Sequence, residues 1–85
     1  MIKNLNQIKI GQFIKIQEND LLYKINNLFI MYTGYFLVCH NIIEEQISMI
    51  IHLKPNSKNF YHKNSEIQIF ENLEEIKMFF PEYFI

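Results

Sequence analysis

The sequence predicts a small α+β domain, a twisted antiparallel sheet of roughly four to six short strands with a C-terminal helix at about 72–80. Three observations predict it. Apolar residues alternate at period two in several segments, and turn-forming Asn, Asp, Gly and Pro fall between those segments. One segment near the end combines a capping-box start with helical apolar spacing. The 85 residues leave room for a single domain over 1–85, and a chain of this size buries only somewhat more than about 60% of its unfolded surface.

The first strand signal covers 8–16, where Ile8, Ile10, Ile14 and Ile16 alternate with Lys9, Lys15 and Gln17, with a kink or bulge at Gly11-Gln12. Glu18-Asn19-Asp20 reads as a turn, because Asn and Asp tolerate left-handed backbone and bond their own chain. Two periodicities then fit 20–34. Leu21, Leu22, Ile25, Leu28, Phe29 and Tyr32 fall at helical spacing, with Asp20 as N-cap and Gly34 as stop, which makes an additional helix at about 20–33 one reading. The favoured reading is a hairpin, 21–25 and 28–32 around Asn26-Asn27, because Tyr, Ile, Phe and Thr favour strands over helices.

Residues 35–40 and 46–53 are two more strands, the second with Ile47, Met49, Ile51 and Leu53 on one face, joined through a tip at Glu44-Glu45. Pro55 cannot continue a ladder, so a loop covers 54–65 before a short strand at 66–70. Asn72 caps the helix, and Glu71, Glu74 and Glu75 place negative charge at the positive end of its dipole. Leu73, Ile76, Phe79, Phe80 and Tyr83 form its apolar stripe until Pro81 ends or kinks it.

Alanine, arginine and tryptophan are absent, while Ile, Asn, Lys, Phe and Tyr supply more than half of the chain, the mark of an A/T-rich coding sequence. Eight lysines against nine acids give a net charge of −1. That balance argues against a general nucleic-acid binder, which needs a cationic face, and against a nucleic-acid mimic, which needs dense carboxylates. Lysine also lacks the bidentate fork used on guanine edges, so nucleic acid is a disfavoured partner. The single cysteine, Cys39, allows no internal disulfide and fits a reducing compartment. With no apolar leader at the start, the expected location is cytoplasmic. The uncharged run 25–43 approaches the ~20 residues of a bilayer span, but Asn26, Asn27, Thr33, His40 and Asn41 would each need a partner in hydrocarbon. No membrane association is expected.

No catalytic, metal or cofactor site emerges. Cys39, His40, His52 and His62 lack zinc-ligand spacing, and neighbours 39 and 40 point to opposite faces of a strand, which also defeats a Cys-His nucleophile pair. Glu44-Glu45 and Glu74-Glu75 fit a solvated turn and a helix start better than a general acid and base, and Gly11 and Gly34 are too few for a phosphate loop. The segment 54–63 stands out, with Lys54, Lys58, His62, Lys63 and the pair Phe60-Tyr61 and no acid. Lys58, Phe60, Tyr61, His62, Lys63, Tyr83 and Phe84 are therefore the candidate partner-binding residues. The plainer reading has Phe60 filling the core while the lysines solvate a loop.

Ile8-Lys9-Ile10-Gly11-Gln12-Phe13-Ile14-Lys15-Ile16, followed by Leu22-Tyr23-Lys24-Ile25, resembles the opening of small SH3-like barrels. The resemblance covers under a third of the chain and implies a fold without an activity. The expected function is that of a small non-enzymatic protein-binding inhibitor from a phage, plasmid or other A/T-rich mobile element, of anti-CRISPR, anti-defence or toxin-immunity type. It would occupy a partner surface, such as that of a host defence complex or a toxin, by steric or allosteric means, and a homodimer is compatible with it. The alternatives are a nucleic-acid-binding barrel using Lys58, Phe60, Tyr61 and Lys63, and a structural subunit of a larger assembly.

Overall fold

The computed structural model describes residues 1–17, 21–42 and 47–84. The turns expected at Glu18-Asn19-Asp20 and Glu44-Glu45, the Asp20 cap and the terminal Ile85 lie outside the described residues. The strands are β1 Phe13–Ile16, β2 Leu22–Met31, β3 Gly34–Asn41, β4 Ile47–Leu53, β5 Tyr61–His62 and β6 Ser65–Phe70, followed by helix α1 Leu73–Phe79. All pairings are antiparallel, in the order β4-β3-β2-β1-β6-β5. The two ends of that order, β4 and β5, approach within 8 Å at their Cα atoms, so the sheet curls into a nearly closed barrel.

β2 makes the curl possible. Its ten residues pair with β1 near the start and with β3 along most of their length. A bulge between Ile25 and Asn27 lets the strand bend from one half of the barrel into the other. Over the described residues 21–34 no helix forms, and the favoured reading is right that the segment is strand but wrong in its turn, since a bulge between Ile25 and Asn27 continues β2 where the hairpin turn was expected. The bulge also explains the helical signal. One inserted residue shifts the inward parity, so the core receives Tyr23, Ile25 and then Leu28, and a spacing of three residues imitates a helix face. The turn falls later, at Tyr32-Thr33 before Gly34. Gly34 has φ +132, and a Cβ there would collide with the Leu53 carbonyl oxygen.

The barrel core holds Ile14, Ile16, Tyr23, Ile25, Leu37, Cys39, Ile51, Leu53, Ile67 and Ile69, joined in one cluster by Ile2, Ile8 and Phe60. Met49, Ile51 and Leu53 all pack in this core, as the alternation in β4 predicts. The alternation over 8–16 is misleading. The strand begins only at Phe13, Gly11 turns at φ +96, and Ile10 is exposed. Buried Gln12 holds this turn, accepting from Lys9 N at 2.8 Å and donating to the Gln7 carbonyl at 2.9 Å. The loop expected over 54–65 contains the two-residue β5, which the sequence reading missed.

A second apolar cluster lies outside the barrel wall, where Phe13, Leu22 and Phe70 are covered by Ile76 of α1, with Met1, Ile42 and Phe80 at its border. β1 is consequently buried on both faces. Even Lys15 is 7% exposed, its Nζ donating to the Ile16 carbonyl at 2.7 Å and lying 6.0 Å from the Phe80 ring centre. Helix α1 begins as expected, with Glu75 N donating to Asn72 Oδ1 at 2.9 Å, and gives way to a 3-10 turn at Pro81–Phe84. Its expected stripe is only partly buried: Ile76 is enclosed, whereas Leu73 and Phe79 are exposed. Seven residues cover too small an area to bury every apolar position. No described helix is long and apolar enough to cross a membrane, and the described part of the uncharged run 25–43 forms much of β2 together with β3.

Candidate functional site

Register determines which side chains face outward from the β2-β3-β4 half. Leu28, Leu37 and Ile51 pair through the interior, so the flanking rows Phe29-Phe36-His52 and Asn27-Val38-Ile50 lie on the outer face, with Met31 beyond them. Phe29 is 50% exposed, and Met31 and Ile50 are each 59% exposed, while Phe36 and Val38 are half-buried. Ile30, 66% exposed, has the opposite parity and lies beyond the barrel interior on the other face, and Tyr32 is fully exposed in the β2-β3 turn. The His52 ring stacks on Phe36 at 4.3 Å with 6° between planes, and its Nε2 donates to the Thr33 carbonyl at 2.9 Å. These contacts fix the Phe36 and His52 rings at the centre of the face.

A groove of about 550 Å³ adjoins this face, at the seam where β4 and β5 fail to pair. His52, Lys54, Ser57, Asn59, Tyr61, Lys63 and Asn64 line it above Leu53. Lys63 sits in the β5-β6 turn with left-handed φ 57.

The candidate residues from the sequence divide among different places. Tyr61, 48% exposed, and Lys63 meet in the groove, joined by Lys54. Lys58 lines a smaller cleft with Met1, Ile2 and Lys3. Phe60 is 5% exposed in the barrel core, so the plainer reading holds for it and it cannot anchor a partner. His62 is half-buried, and burial, then the Lys63 charge, lowers its pKa. Phe84 is 38% exposed, with Lys77 Nζ 5.4 Å from its ring centre, and it does not line the groove. The Tyr83 side chain lies outside what is described.

Cys39 and His40 face opposite sides of β3. Cys39 is in the core, where burial pushes its thiol up to about 12 and leaves no thiolate for nucleophilic attack near neutrality. Among the described residues no three His, Cys, Asp or Glu side chains are grouped to hold a metal. Glu75 lies 2.9 Å from the Met1 ammonium, a structural ion pair at the helix start.

The outer face of β2-β3-β4 was missed by sequence reasoning, although its signal was available. A strand with one wet face should alternate, yet Leu28-Phe29-Ile30-Met31-Tyr32 and Tyr35-Phe36-Leu37-Val38 are continuously apolar. Such runs belong to strands with two apolar faces. Comparison with known protein families, with curated proteins and with solved structures returns no match.

Proposed function

We propose that this protein is a small non-enzymatic inhibitor that docks a protein partner on the outer face of β2-β3-β4. The observation that carries the reading is the contiguous apolar set Phe29, Met31, Phe36, Val38 and Ile50, on rigid paired strands and without a charged side chain among them. A large exposed apolar patch on a small domain marks an interaction surface, because its burial against a complementary partner supplies the driving force of association. Aromatic and methionine side chains also dominate the buried centres of interfaces. The strand order with a long bent β2 supports the finer reading of an SH3-like barrel, as the opening of the sequence suggests. The A/T-rich composition supports the anti-CRISPR, anti-defence or toxin-immunity class as the setting in which steric or allosteric occupation of a partner would act.

The test compares the wild type with Phe29→Thr and Ile50→Thr, which keep strand propensity while removing the apolar contact. Recovery of one stoichiometric protein by the wild type, lost from both variants, is the expected result. Recovery of no stoichiometric protein from the source cells, or retention of that protein by both variants, refutes the reading.

A further inference from the structure

We propose that the seam groove between β4 and β5 is a binding site for single-stranded nucleic acid, beside the protein-docking face, with which it shares His52. Within a net charge of −1, the groove lining carries two lysines and no described acid. The described acids are Glu66, Glu71, Glu74, Glu75 and Glu82, and none of them lines the groove, whereas Lys54 and Lys63 both do. Tyr61 shares the lining with these cations, with about half its surface exposed, and offers a ring on which a base can stack. Asn59, Asn64 and Ser57 add hydrogen-bonding groups without net charge.

Lys63 takes the first position of the two-residue turn between β5 and β6, where the hairpin itself calls for its left-handed φ of 57, and that turn places it in the groove lining. The volume of about 550 Å³ is that of a cleft for a small ligand or a few groups of a polymer, too small to seat a duplex. Phosphates at Lys54 and Lys63 with a base on Tyr61 use every distinctive feature of the lining. An acidic peptide would use the lysines and leave the ring without a role.

Fluorescence anisotropy with a labelled oligothymidylate of about a dozen nucleotides at low salt tests this directly. Saturable binding is expected, with a slope of log K against log salt near −1.4 for about two phosphates neutralised. Lys54→Gln combined with Lys63→Asn, the second chosen because Asn tolerates the left-handed turn, should reduce binding about tenfold and flatten the slope. Tyr61→Leu should weaken binding about tenfold and leave the slope unchanged. Glu66→Gln, removing the acid paired beside Tyr61, should strengthen it. Thermal melts matched to the wild type establish that these exposed sites leave the fold intact. Absence of binding at low salt, equal binding of polyglutamate or duplex DNA, or full binding by the lysine and tyrosine variants overturns the proposal. Phe29→Thr should retain oligonucleotide binding, which keeps this test independent of the docking face.

Discussion

The barrel has two apolar outer faces that meet different fates. On the β1-β2-β6 half, Phe13, Leu22 and Phe70 lie under Ile76, and Phe70 and Ile76 are fully buried. On the β2-β3-β4 half, Phe29, Met31 and Ile50 are of the same chemical character and remain half exposed or more. The only described α-helix has seven residues, and it covers the first face. The first face is therefore a source of folding stability, while the apolar area of the second remains available for association. Burial of apolar surface is favourable by roughly 25 cal/mol per Å² in either case. What differs is whether the cover belongs to the same chain.

The largest expected effect lies on the covered face. Phe70→Ala should destabilise the fold by about 3–5 kcal/mol, because a large ring packed against Phe79 and Phe80 leaves a cavity. A denaturant melt reads this as a lower midpoint. On the bare face, Phe29→Thr should change stability by no more than about 1 kcal/mol, yet cost about 2 kcal/mol or more in partner affinity if Phe29 is an anchor. Calorimetric titration beside a melt separates the two quantities. Asn72→Ala removes the side-chain acceptor from Glu75 N and should cost about 1 kcal/mol, loosening the cover without touching the bare face.

The smallest effect concerns pH. His62 titrates below its ordinary value of 6.5, chiefly through burial and then through Lys63, so the native state binds its proton less readily than the unfolded chain. This group leaves stability undiminished above 6.5 and lowers it as pH falls from there toward the folded pKa. His62→Gln should flatten the dependence of unfolding on pH in that window.

Much of the covered region was legible in the sequence. Asn72 with Glu75, the spacing to Ile76 and the stop at Pro81 are local signals, and local chemistry sets a helix start and end. The strands β3, β4 and β6, expected over 35–40, 46–53 and 66–70, were legible for the same reason, with residue 46 outside the described residues. The bulge in β2 was not, because an inserted residue alters parity without leaving a composition mark, and 23, 25 and 28 then imitate a helix. Pairing across β1 and β6 depends on contacts distant in the chain, whereas burial of Phe60 was already the plainer reading of its loop. Tyr61 and Lys63 were singled out from charge and aromatic content, and the fold brings them with Lys54 of the same basic segment into one groove lining because the end of β4 lies at the seam. The bare face was recorded in unbroken apolar runs whose significance emerges once α1, the only α-helix among the described residues, is seen to cover the other half.

Two methionines offer the most direct test of the central claim. Met31 on the bare face is 59% exposed and Met78 on α1 is 80% exposed, so both should oxidise readily in the isolated protein. Oxidative footprinting of the complex with the recovered partner should protect Met31, together with Phe29, and leave Met78 as reactive as before. Protection of Met78 with Met31 still reactive would contradict the account and place the partner on the helix side.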